Sequence, residues 1–272
     1  MEKEIVIVPI DFTDITINAL EHACNVAPDM NAEVYLLHVV GKDSERLKAE
    51  AGLEGLARKY EKDNLKIKYL VRSGSIFEEI GETAAELDAM LIIMGTHGLR
   101  GWQFLTGSNA LKVIRNSSVP FIVVQERGPR EGVNHMVLPI DLANEEKQKL
   151  ASAAELAKLF DTHVHIISPK QDDEFLANQQ KRNLRFAEEF LAQKGIAFDS
   201  AVTDESGGFE REVMRHAARW DADLICILNH EDSGSALFGS SFEQHIITNE
   251  AQIPVLVVNQ KITTRIGGVI GT

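Results

Sequence analysis

The chain is written twice, and no other feature of its 272 residues constrains the fold as tightly. Ile5-Val6-Ile7-Val8-Pro9-Ile10-Asp11 returns as His135-Met136-Val137-Leu138-Pro139-Ile140-Asp141. Ser73-Gly74-Ser75-Ile76 returns as Ser206-Gly207-Gly208-Phe209, and Asp88-Ala89-Met90-Leu91-Ile92-Ile93 as Asp221-Ala222-Asp223-Leu224-Ile225-Cys226. Val119-Pro120-Phe121-Ile122-Val123-Val124 returns as Ile253-Pro254-Val255-Leu256-Val257-Val258. The offsets stay between 130 and 134 residues, so the order and spacing of elements agree along the whole length. Arg127-Gly128-Pro129-Arg130-Glu131-Gly132 has the Gly and Pro content of a boundary. The expected domains are residues 1–128 and 133–260, followed by a tail over 261–272.

Within each copy, apolar runs alternate with helical periodicity. The first copy predicts strands near 4–10, 33–40, 66–72, 89–95 and 120–125, with helices near 14–27, 44–61, 75–87 and 107–116. Ile17, Leu20, Ala23 and Cys24 mark the apolar stripe of the first helix, and Leu47, Ala51, Leu53, Leu56 and Ala57 that of the second. The second copy repeats this with a longer helix near 173–194. Strict strand–helix alternation implies an α/β fold of two tandem Rossmann-like domains, each a five-stranded parallel sheet with helices on both faces. The continuous Val/Ile/Leu runs are those of strands buried on both sides.

Composition narrows the function. The net charge is −13, and residues 1–128 carry 14 basic against 19 acidic side chains, so neither half offers the positive face that nucleic acid rewards. No stretch has the length and apolarity of a membrane span, and the N-terminus runs straight into a strand; the expected location is cytoplasmic. Two cysteines, Cys24 and Cys226, lie far apart in apolar contexts and read as core residues rather than as a disulfide or a metal site.

One segment needs a ligand to explain it. Gly95-Thr96-His97-Gly98 closes the apolar run Ala89–Met94, and after eight residues Gly107-Ser108 opens a helix. Closely spaced glycines after a strand, then a helix N-terminus, expose backbone N–H groups that can seat phosphate. Glycine there tolerates φ > 0 and permits close approach of an anion. In an open parallel sheet ligands sit beyond the carboxyl ends of strands, where the strand order reverses. Asp11, ending the first strand, and Gly95, ending the fourth, are two independent candidates for that edge. Each also has a plain reading: Asp11 as a helix cap, a role open to Thr13 or Asp14, Ser108 as an N-cap, and His97 as a polar loop filler.

Val8-Pro9-Ile10-Asp11, Leu37-His38-Val39, Met94-Gly95-Thr96-His97-Gly98, Gly107-Ser108 and Ser118-Val119-Pro120 together resemble the universal stress protein family, over nearly the whole chain as two tandem copies. The resemblance implies a five-stranded parallel α/β sandwich and, in the family's ATP-binding branch, Gly, two residues, Gly, nine residues, Gly-Ser/Thr. Here the second gap, Leu99 to Thr106, is eight residues, so the phosphate loop is one residue shorter. The implied roles are Asp11 at the ribose or adenine, Pro9 lining the base pocket and the Val39 main chain on the adenine edge. Gly95, Gly98, Gly107, Ser108 and Asn109 would hold the phosphates, with His97 nearby. The implied ligand is an adenine nucleotide, ATP, with Mg left open, and no residue is assigned as catalytic or as a protein metal ligand.

The second copy reads as having lost this site. Leu228 stands opposite Gly95, Glu231 opposite Gly98 with Asp232 following, and Pro169, which has no N–H, opposite Val39. Asp141 survives, His230 matches His97, and Gly239-Ser240 arrives one residue sooner. Three functions stay open: a nucleotide-binding stress regulator or sensor with one site per chain, a slow ATPase, and a stress adaptor that binds no nucleotide. Arg100 and His97 are the only loop groups suited to phosphoryl transfer, with no acidic metal ligand and no Gly-Lys-Ser/Thr element, which disfavours a dedicated enzyme. The expected partners are the nucleotide and an unidentified protein. The second copy is expected to cover the last strand of the first as an internal pseudo-dimer, with a homodimer of chains also open.

Overall fold

The computed structural model describes residues 3–96, 107–140, 142, 146–204, 208–229 and 240–259, of which 107–109, 146–148, 240 and 241 are described as backbone. The chain divides into two units, Met1–Glu131 and Gly132–Thr272. The first contains β1 (Glu4–Pro9), α1 (Asp14–Val26), β2 (Ala32–Val40), α2 (Arg46–Tyr60), β3 (Ile67–Ser73), α3 (Ile76–Glu86), β4 (Leu91–Gly95), α4 (Gly107–Arg115) and β5 (Phe121–Val124). The second contains β6 (His135–Pro139), α5 (Glu146–Phe160), β7 (His163–Pro169), α6 (Glu174–Gln193), β8 (Phe198–Thr203), α7 (Phe209–Arg219), β9 (Leu224–Asn229), α8 (Ser240–Ile247) and β10 (Val255–Asn259). The predicted alternation is therefore the observed one.

All strand pairs within the units are parallel. The first unit has the order β3-β2-β1-β4-β5 and the second β10-β9-β6-β7-β8. The chain steps outward from β1 to β2 and β3, then returns to place β4 on the other side of β1, with Val6 opposite Leu91 and Ile7 opposite Ile92. The order thus reverses between β1 and β4, which puts the ends of these two strands side by side. Inner strands are buried almost throughout: Val6, Ile7, Val8, Ile92 and Met94 are inaccessible to solvent. One outer strand of each unit departs from the expected two-sided burial, whereas the other, β5 or β10, is buried throughout. β3 exposes Lys68, Tyr69 and Ser73 and β8 exposes Ser200 and Val202, and charged Lys68 and Asp199 sit on them, as suits a sheet margin.

The repeated sequence punctuation has a backbone cause. Asn31, Asp88, Asp161 and Asp221 all take positive φ, between 48° and 54°, just before β2, β4, β7 and β9. Asn and Asp tolerate this left-handed turn better than other side-chain-bearing residues, so the Asp88/Asp221 match marks the same helix-to-strand corner twice. Helix starts are similarly specified, with Ser75 Oγ accepting from the Phe77 N–H and Asp173 Oδ1 from the Leu176 N–H. The segment after β5 is more firmly held than its Gly and Pro content suggested. Asn18 and His22 of α1 donate to the Arg127 carbonyl at 2.9 Å each, and Asn25 to that of Arg130 at 2.7 Å.

Candidate functional site

β1 ends at Pro9, and the next three residues make the corner into α1. The Ile10 N–H reaches the Leu37 carbonyl at 2.8 Å, the last bond of β1 to β2. Asp11 then closes the turn with one oxygen. Its Oδ1 accepts from the Thr13 N–H at 2.9 Å and from the hydroxyls of Thr13 at 2.5 Å and Thr16 at 3.0 Å. The N-cap of α1 is Thr13, one of the alternatives weighed for that role, and Asp11 instead closes the turn that precedes the helix. Oδ2 makes no hydrogen bond among the described residues, and Asp11 is exposed, so half of the carboxylate still faces outward.

Val39 lies where its main chain is open. In a parallel ladder the backbone groups of alternate residues point to alternate neighbours. The Leu37 carbonyl serves Ile10 of β1, whereas the Val34 N–H binds Lys66 and the Val40 carbonyl binds Gly74, both on the β3 side. Odd-numbered residues of β2 therefore face β1. Because β1 stops at Pro9, the N–H and C=O of Val39 face beyond its end and pair with no backbone group among the described residues. A planar ligand with adjacent donor and acceptor can pair there.

Gly95 has a packing role in addition to the anion approach weighed for this segment. It is absent from the described glycines with positive φ, which are Gly74, Gly132, Gly195 and Gly208. Its need for glycine is packing: a Cβ would lie 2.6 Å from the Ile15 carbonyl oxygen and 3.1 Å from the Ile15 Cγ1. The first turn of α1 thus rests directly on the end of β4, bringing the Asp11 corner against Gly95. Thr96 follows, buried, its N–H on the Val124 carbonyl at 2.8 Å.

Gly107, Ser108 and Asn109 form the first turn of α4. A helix joining two parallel neighbours runs antiparallel to them, so this turn opens on the same carboxyl edge as Asp11, Val39 and Gly95. Its N–H groups, which have no partners inside the helix, and its dipole are suited to an anion. His97 and Gly98 lie outside the described residues, as do Asp141, His230, Glu231 and Asp232.

Two residues at this edge escaped the sequence reading. Phe12 holds φ of 66°, a strained value for an aromatic residue, and its ring leans on His38 at 5.1 Å and 43°. It also fits against Gly52, where a Cβ would approach the ring to 2.8 Å. His38 in turn donates from Nδ1 to the Ile10 carbonyl at 2.6 Å, locking the end of β1. The signal was Gly52 itself. A glycine inside a helix costs about 1 kcal/mol against alanine and asks for a reason.

At the matching edge of the second unit, described side chains bond the strand ends. Ser168 takes the place of His38, its Oγ on the Ile140 carbonyl at 2.8 Å. Buried Gln180 of α6 donates to Ser168 Oγ at 2.9 Å and also to the Pro169 carbonyl. Neighbouring Gln179 donates to the Leu142 carbonyl at 2.8 Å, and the Lys149 ammonium to the carbonyl of Pro139. Pro169, at the Val39 position, brings no N–H, and buried Leu228 occupies the place of Gly95.

Comparison with known proteins gives a consistent result. The profile of the Universal stress protein family matches residues 3–125 and again 132–259. Universal stress protein MJ0531 of Methanocaldococcus jannaschii is 33% identical over 138 residues, 44% of this chain and 81% of that protein. The crystal structure of a universal stress protein from Archaeoglobus fulgidus DSM 4304 superposes with a TM-score of 0.72 at 19% identity, covering 94% of this chain and 96% of that one. A structure of the universal stress protein from Archaeoglobus fulgidus in complex with dAMP matches 46% of this chain and 96% of its own, at 17% identity and a TM-score of 0.36. Among the described residues no helix is long and apolar enough to cross a membrane.

Proposed function

The chain belongs to the universal stress protein family, and we propose that it acts there as a nucleotide-responsive regulator holding one adenine nucleotide, ATP, in its first half. The observation that carries this reading is the open main chain of Val39 beside the end of β1, at the point where strand order reverses. An adenine edge offers the donor–acceptor pair that Val39 lacks, and Phe12 and Pro9 supply apolar walls for the ring. Asp11 Oδ2 is then the acceptor for a ribose hydroxyl. The first turn of α4 and the glycine segment before it receive the phosphates through backbone N–H groups. Backbone N–H groups and a helix dipole can hold phosphate without a cluster of cations, which suits a chain of net charge −13.

The second half, on this reading, binds no nucleotide. Gln180, Lys149, Pro169 and Leu228 stand at the equivalent edge, and its use is structural or partner-facing. Native mass spectrometry of the purified chain tests both parts together. One adenine nucleotide per chain is expected, and two, or none after incubation with excess ATP, would contradict the proposal.

A further inference from the structure

The second unit carries a cluster of imidazoles at the opposite, amino-terminal edge of its sheet. Parallel register sets His135 opposite His163, and His165 opposite Asp199. Because side chains two apart share a face and register partners share a face, all four project from one side of β6, β7 and β8. Asp199 Oδ2 lies 2.9 Å from His163 Nε2 and 2.8 Å from His165 Nδ1. The ligand atoms of His163, His165 and Asp199 all fall within 4.8 Å of one another. Behind them His135 Nδ1 stands 3.1 Å from His165 Nε2, and the Trp220 ring stacks on His165 at 4.1 Å and 16°.

The first unit is an internal control for this face. The register positions of His163, His165 and Asp199 are there taken by Glu33, Tyr35 and Lys68. Lys68 Nζ sits 2.6 Å from Glu33 Oε2 and 3.1 Å from the Tyr35 hydroxyl, so the first half provides its own cation at this point. The second half has exchanged that cation and its partners for two imidazoles and a carboxylate.

We infer that His163, His165 and Asp199 form a Zn2+ site, with His135 as a positioning residue for His165. Two imidazole nitrogens and one carboxylate oxygen are the donor set of three-ligand zinc sites. Tetrahedral zinc, with bonds of about 2.0 Å, sets its ligand atoms about 3.3 Å apart. The observed 2.8 and 2.9 Å separations therefore open by roughly half an ångström, within reach of small χ adjustments. His163 and Asp199 keep 37% and 43% of their side chains exposed, which gives the ion an entry path and water the fourth position. The side chain of His165 is 1% exposed and held in place by Trp220, so one ligand is fixed in advance.

The protons balance without a co-reactant. In the metal-free cluster His163 Nε2–H and His165 Nδ1–H donate to Asp199 Oδ2, while His165 Nε2 accepts from the Nδ1–H of His135. With zinc bound, the proton of His163 resides on Nδ1 and that of His165 on Nε2. His165 then donates to His135 Nδ1, whose own proton has moved to its Nε2. This is the outer hydrogen bond that a ligating imidazole ordinarily makes.

The test uses the full-length chain, stripped with a chelator and titrated with Zn2+ by calorimetry, with Co2+ as an optical probe of tetrahedral coordination. One Zn2+ per chain is expected. His163→Gln and Asp199→Asn, both at half-exposed positions, should each weaken it at least tenfold, and His135→Gln by about tenfold. His245→Gln, which alters an imidazole paired with Glu210 on another helix, should leave binding unchanged. Circular dichroism establishes that each variant is folded. No uptake by the wild-type chain, or equal uptake by folded His163→Gln and Asp199→Asn, would overturn the inference.

Discussion

Replacing Gly95 by alanine separates the packing role of this glycine from any role toward a ligand. The added methyl would meet the Ile15 carbonyl oxygen at 2.6 Å and its carbon at 3.0 Å. Ordinary carbon contacts lie at roughly 3.5 Å, so the first turn of α1 must retreat by somewhat under 1 Å. Neither obstacle is the far end of a flexible side chain, and Ile15 is itself only 5% exposed, so the strain has no easy outlet. Overpacking of this kind costs about 1–3 kcal/mol. For a unit of this size that lowers Tm by several degrees, at about 3–5 °C per kcal/mol. Gly55→Ala is the matched control. It lies inside α2 with nothing within 4 Å of the new methyl, and removing helical glycine there should stabilise by about 0.5–1 kcal/mol. Calorimetry of the full-length variants should show opposite shifts in the transition of the first half. An unchanged or raised Tm for Gly95→Ala would refute the claim that α1 rests on the end of β4.

Three further predictions follow from single residues. Val39→Pro copies the second half into the first. It removes an N–H that faces beyond the end of β1 rather than into the ladder, so the fold should survive while nucleotide affinity falls at least tenfold by calorimetry. His22 is pushed below the ordinary imidazole range, chiefly by burial and against the raising effect of its bond to the Arg127 carbonyl. The folded chain therefore takes up this proton at lower pH than the unfolded one. Its stabilising contribution is complete above the unfolded value and declines as pH falls toward the folded value. Urea midpoints across that window should fall less steeply for His22→Gln than for the wild-type chain. Burial likewise raises the Cys24 thiol to about 11, so at pH 8 it should react with a disulfide reagent far more slowly than after unfolding.

The fold was legible because its signals are redundant. Continuous apolar runs, helical stripes and an offset near 130 residues each pointed to the same parallel α/β unit, and Asp88 and Asp221 repeat because the same left-handed corner recurs. The strand ends that place Asp11 and Gly95 on one carboxyl edge were legible too, since strand alternation fixes where the order reverses, whereas Val39 entered only through the family resemblance. The reasons behind single residues were less accessible. Gly95 was read for conformational freedom and for close approach of an anion; the distance to Ile15, which by itself excludes a side chain, leaves no local mark. Phe12 went unremarked and His38 stood only within the Leu37-His38-Val39 motif, because their contact with each other spans the gap between two strands. The bonding of the second edge by Gln180 and Lys149 was hidden for the same reason. The imidazole cluster was invisible for another: His135, His163, His165 and Asp199 are spread over 65 residues, and only strand register brings them onto one face.

The central claim, one adenine-nucleotide site per chain and that in the first half, is tested most directly by calorimetric titration of ATP into the nucleotide-free chain. The same titration is repeated on Val39→Pro and on Leu228→Gly, which alters the second half alone. The expected stoichiometry is one for the wild-type chain and for Leu228→Gly, with binding weakened at least tenfold by Val39→Pro. A stoichiometry of two, or binding that Val39→Pro leaves untouched, would contradict it.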